Sequence, residues 1–134
     1  MAKIFLLFAS INGAVVVILG AFGAHALKGK ISVPLMAAFQ TGTHYHMFHV
    51  LALMALALLI SRLTLEGGKV PTLFIAAGYC WMVGIVLFSG SLYGLALGGP
   101  SWLGPITPLG GSLFIIAWVC LSLGIIKSSL NHLL

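Results

Sequence analysis

The sequence predicts an all-α integral membrane protein, an antiparallel bundle of four transmembrane helices. Three observations carry this expectation. The chain is 61% hydrophobic and only 5% charged, where a soluble domain carries roughly 25% charged residues. Its mean hydropathy is +1.22. The few charges also bound long uncharged runs over residues 4–27, 31–61 and 70–126. With so few charges to cover a surface in water, lipid must be the solvent.

A spanning helix needs about 20 apolar residues. The first two runs hold one span each. The third holds two, separated by the turn-rich stretch Gly98-Gly99-Pro100-Ser101-Trp102-Leu103-Gly104-Pro105. Spans are expected near 4–25, 43–61, 70–92 and 106–126, in a single domain over 1–134. The first span competes with a signal-peptide reading, because Lys3 precedes an apolar run ending at Ala24-His25-Ala26. The run exceeds the roughly 7–15 residues of a signal core, and Asn12 and the glycines after it make sense in a retained helix. For the second span, Ser32 is a helix-capping residue and Pro34 suits a first turn. A helix from Val33 to Ser61 would be about 43 Å long, against a hydrocarbon core of about 30 Å. Its first turns therefore lie at the interface, or the helix bends near Gly42.

An even number of spans puts both termini on one side. Lys3, Arg62, Lys69 and Lys127 lie there, and Lys28 and Lys30 lie opposite. The positive-inside rule then places the termini in the cytoplasm. These charges are isolated and read as topology signals, so no nucleic-acid partner is expected despite a pI near 9.6. Cys80 and Cys120 fall inside apolar runs without ligand spacing.

Lipid gives one helix no hydrophobic drive to meet another, so small residues must allow close packing. They recur at intervals of seven: Gly13 and Gly20; Ala77, Gly84 and Ser91; Gly110, Ala117 and Gly124. That spacing keeps one face toward a neighbour in a left-handed coil. Asn12 and Tyr79 enter from the same side to depths of about 12 and 13 Å. Both are expected to face the bundle interior, at matched depth for a mutual hydrogen bond.

Polar and glycine-rich clusters flank the first and third connections, which share one end of a four-span bundle. Thr41, Tyr45, Ser89, Ser91, Tyr93 and Thr107 gather there with His25, His44, His46 and His49. His46 and His49 share a helix face, as metal-binding pairs do, while His44 stands about 200° away from His46. No carboxylate or thiolate accompanies them, and the only acid, Glu66, belongs to the opposite end. The competing expectation is structural: His44 and His46 wet the interface, and His25 and His49 tie helix ends. Ser89, Ser91 and Thr107 lack the Gly-x-Ser-x-Gly elbow of a nucleophile. No catalytic residue, metal or cofactor is assigned.

The motifs Gly20-Ala21-Phe22-Gly23-Ala24-His25, Thr41-Gly42 with Tyr45 and His49, Leu87-Phe88-Ser89-Gly90-Ser91-Leu92-Tyr93 and Thr107-Pro108-Leu109-Gly110-Gly111 occur in that order. In them the chain resembles the YgdD/YwdK family of small bacterial inner-membrane proteins, over essentially its whole length. The resemblance implies a four-helix protein of the bacterial inner membrane and no particular activity. His25 and His49 match its pattern, whereas His44 and His46 replace other polar residues. The leading expectation is a binding or accessory module. It would hold a lipid, a lipophilic molecule or a membrane-protein partner at its outer end, while the faces of small residues would serve equally to close the monomer or to join a second copy. The alternatives are a transporter or channel component, and a membrane enzyme or haem or metal protein using His25 and His49. Against transport, the spans carry no acid and no helix break at mid-depth.

Overall fold

The computed structural model describes residues 1–128. Among them there are helices and no strands. Four helices are long and apolar enough to cross a membrane: α1 (Ala2–Leu27), α2 (Val33–Leu65), α3 (Thr72–Ala96) and α4 (Ser101–Lys127). Two contain a widened π-helical turn, Gly23–Leu27 at the end of α1 and Ile85–Ser89 within α3. The second opens the helix so that the Gly90 N–H reaches the Ile85 carbonyl.

The second helix runs over 33 residues with no break at Gly42. Its length is about 50 Å, so its ends project beyond the hydrocarbon. Ser32 precedes it in extended geometry, but its side chain makes no capping bond. Instead its carbonyl accepts the Met36 N–H at 3.0 Å. Each connection contains one glycine in the left-handed region, Gly29, Gly67 or Gly98. After α2, Gly67 and Gly68 donate back to Thr64 and Leu63. After α3, Gly98 and Gly99 do the same to Leu95 and Gly94. Both are Schellman closures, in which a positive-φ glycine lets the chain reverse while satisfying the last carbonyls.

Each helix packs against the next in sequence, and neither α1 nor α2 lies broadly against α4. The core is built from aromatic rings seated on glycines. A Cβ at Gly84 would stand 2.7 Å from the Phe114 ring, and one at Gly124 equally close to Phe74. At Gly110 it would strike the backbone of Phe88, and at Gly78 the ring of Phe5. Ala77 and Ala117 are fully buried on the same elements. Dispersion gained by this interlocking holds the helices where lipid supplies no hydrophobic drive.

The first helix differs from expectation. Its buried line passes through Phe5, Ala9, Val16, Gly23 and Leu27. Gly13 and Gly20 lie about 40–60° round the helix from that line. A Cβ at Gly13 would make only an ordinary contact with Val50, and one at Gly20 would meet nothing within 4 Å. Gly20 is therefore not a packing residue. Tyr79 is likewise no interior partner of Asn12. It is 40% exposed, stacks edge-on against Phe5 and donates to Met1 Sδ. Depth was matched, but rotation was not: Tyr79 stands about 200° from the buried Ala77.

Candidate functional site

Asn12, His46 and Tyr93 form a directed chain across three helices. The Asn12 amide nitrogen donates to the Phe8 carbonyl at 2.9 Å, which turns its oxygen toward His46. His46 Nε2 lies 3.1 Å from that oxygen. An amide oxygen only accepts, so Nε2 carries the proton. His46 Nδ1 must then accept, and the Tyr93 hydroxyl donates to it at 3.1 Å. His46 is buried; it ties α1, α2 and α3 together and does not wet the interface.

Two further links join α3 to its neighbours at the same end. Ser89 donates to the Gly42 carbonyl at 2.8 Å. Ser91 donates to the Phe88 carbonyl, which leaves its oxygen to accept the Thr107 hydroxyl at 2.6 Å. These hydroxyls are committed to helix-to-helix bonds.

His49 occupies a different setting. Its Nδ1 lies 2.8 Å from the Tyr45 carbonyl and donates to it. Nε2 therefore accepts, and Trp118 Nε1 donates to it at 3.4 Å. The two histidines, three residues apart, hold opposite neutral tautomers. The His49 ring stacks on Phe114 at a centroid separation of 3.6 Å with 4° between planes. Phe48 meets it edge-on.

This stack forms the floor of a groove of about 880 Å³ between α2 and α4. Tyr45, Phe48, Phe88 and Trp118 wall it, and Gly111 leaves space on the α4 side. The rim residues Met47, Phe48, Leu51 and Ile115 are exposed, so the groove opens sideways where lipid would lie. Further along the same seam, Trp81 and Trp118 meet edge to face at 4.9 Å. They border a smaller apolar space of about 210 Å³.

The structure divides the residues singled out in the sequence. Tyr45 and His49 line the groove. Ser89, Ser91, Tyr93 and Thr107 are used in links between helices. Thr41 and His25 are exposed, outside the groove. The expected clasp of His25 on His49 does not form, because Tyr45 and Trp118 already take both nitrogens of His49. Among the described residues no three His, Cys, Asp or Glu side chains converge as a metal set. Sequence reading missed Phe114 and Trp118. Their i,i+4 spacing on α4 mirrors that of Tyr45 and His49 on α2, and this paired pattern was the available signal.

The chain is similar to known proteins over most of its length. A family model described as a protein of unknown function (DUF423) matches residues 19–111. The UPF0382 membrane protein YwdK of Bacillus subtilis is 46% identical over 125 residues, covering 93% of this chain and 98% of its own length. A UPF0382 membrane protein of Staphylococcus epidermidis is 40% identical, covering 93% of this chain and 97% of its own. The UPF0382 inner membrane protein YgdD of Escherichia coli is 37% identical over 126 residues, covering 94% of this chain and 92% of its own. No solved structure matches. With a family model spanning most of its length and relatives matched nearly end to end, this chain belongs to the DUF423 family of membrane proteins.

Proposed function

We propose that this protein is a membrane binding module that admits an elongated amphiphile sideways from the bilayer into the groove between α2 and α4. The observation that carries the reading is the groove itself. Its volume of about 880 Å³ falls in the 300–1,000 Å³ range of small-molecule sites. Its floor of stacked rings suits an aliphatic or isoprenoid chain. Both nitrogens of His49 are engaged, so a polar head would sit at the rim. There the His44 imidazole and Tyr45 hydroxyl make no side-chain hydrogen bond among the described residues. The role is binding, with no chemistry assigned to these residues.

The test fills the groove without disturbing the fold. A Cβ at Gly111 would meet Phe88 at 3.6 Å, an ordinary contact, and Gly111 lines the groove, so Gly111→Phe adds a ring to its α4 wall. Lipids and small molecules that co-purify with the wild type in mild detergent are identified by mass spectrometry. A species enriched on the wild type and lost from a folded Gly111→Phe supports the reading. An identical lipid complement on both proteins refutes it.

The termini are proposed to be cytoplasmic, which puts this end of the bundle on the outer side. In a background lacking Cys80 and Cys120, single cysteines at Lys30 and Ser101 should react with an impermeant thiol reagent in intact cells. Labelling at Glu66 instead would reverse the orientation.

A further inference from the structure

The opposite end of the bundle carries a second cleft, unrelated to the groove. It has a volume of about 500 Å³. Leu63, Gly67, Lys69 and Pro71 line it from the end of α2 and the connection that follows, and Lys127 and Ser128 from the end of α4. Two lysines distant in sequence thus line one concavity. Charge balance makes the arrangement unusual. The chain has six Lys and Arg against one acidic side chain. That acid, Glu66, is held by Arg62 at 2.9 Å, so no carboxylate side chain is left to neutralise either lysine.

The walls indicate where the missing charge comes from. Leu63 and Pro71 give the cleft an apolar side, and its position at the ends of two spans puts it at headgroup level. Lysine suits such a place, with its stem along apolar surface and its ammonium in the polar layer. Basic recesses between transmembrane helices bind phosphate headgroups on this principle. We infer that the Lys69–Lys127 cleft is a binding site for the phosphate of an anionic phospholipid. The acyl chains leave past Leu63 and Pro71, and the two lysines supply the counter-charge.

The experiment uses the full chain in nanodiscs of equal phosphatidylglycerol and phosphatidylcholine, with retained lipid counted by native mass spectrometry. Wild type should retain phosphatidylglycerol preferentially. Lys69→Gln and Lys127→Gln should each lower that preference about five-fold, and the double variant more. Both lysines are exposed, so these variants fold. Lys28→Gln with Lys30→Gln, at the other end, should leave the preference unchanged. The inference fails if the double variant retains phosphatidylglycerol like the wild type. It also fails if the Lys28 and Lys30 changes act as strongly, since charge alone would then explain binding. Inorganic phosphate added without lipid should not raise the melting temperature in detergent. A rise that disappears in the double variant would assign the cleft to a soluble phosphate and overturn the lipid.

Discussion

The two faces that α4 presents to its neighbours use the same aromatic residues to opposite ends. Toward α3, Gly110 and Gly84 let Phe88 and Phe114 sit against backbone with no room for a Cβ. Toward α2, Phe114 and Trp118 meet other rings, Tyr45, Phe48 and His49. A ring on a glycine closes a seam. A ring on a ring holds the helices apart and leaves a groove beside the stack. Aromatic content alone therefore says little about packing density, and the size of the opposing residue decides it.

The sharpest way to break this contrast compares adjacent glycines. Gly110→Leu drives a side chain into the Phe88 backbone, and overpacking of that kind costs about 1–3 kcal/mol or more. It should give the largest fall in melting temperature in detergent, with poor recovery of folded protein. Gly111→Phe, one residue on, should lie close to wild type in the same assay. Equal losses at the two positions would erase the distinction between closed seam and open groove.

A middle effect is expected at the polar chain. His46→Leu leaves the Asn12 oxygen and the Tyr93 hydroxyl without their partner. Interhelical hydrogen bonds in membranes average about 0.6 kcal/mol each, so the loss should be roughly 1–2 kcal/mol, read as a lower melting temperature. The Trp118–His49 bond is longer, at 3.4 Å, and Trp118→Phe should cost less. The smallest effect belongs to Gly20→Leu, since nothing lies within 4 Å of the added carbon. An unchanged melting temperature is expected, and a marked loss would show that α1 packs more tightly than described.

Much of the fold was legible because hydropathy and charge are read directly from composition. The number of helices, their order and the break near Gly98 follow from runs that water would not tolerate. The seven-residue series on α3 and α4 was also visible, because a glycine opposite a ring leaves a periodic trace. Rotation was not visible. Asn12 and Tyr79 matched in depth, yet one faces α2 and the other looks outward. The groove was hidden for a related reason. Tyr45, His49, Phe114 and Trp118 have the spacing of ordinary packing pairs, and only three-dimensional placement reveals the space beside them. His46 could be placed on a helix face, but its two partners lie 34 and 47 residues away.

The widened turn at Ile85–Ser89 gives α3 a property of a gear with one tooth added. Bonds that span five residues admit one residue more than the regular ladder. Before the turn, Gly84 engages α4; Ser89 at its end and Tyr93 beyond it engage α2. Removing one residue from 85–88 would let the ladder close as a regular helix and leave the segment beyond it near its present orientation. Ser89 and Tyr93 would keep their aim at Gly42 and His46. A residue removed between 90 and 92, outside the turn, would instead swing Tyr93 away by about 100°. In this helix, length is as much a determinant of contact as identity.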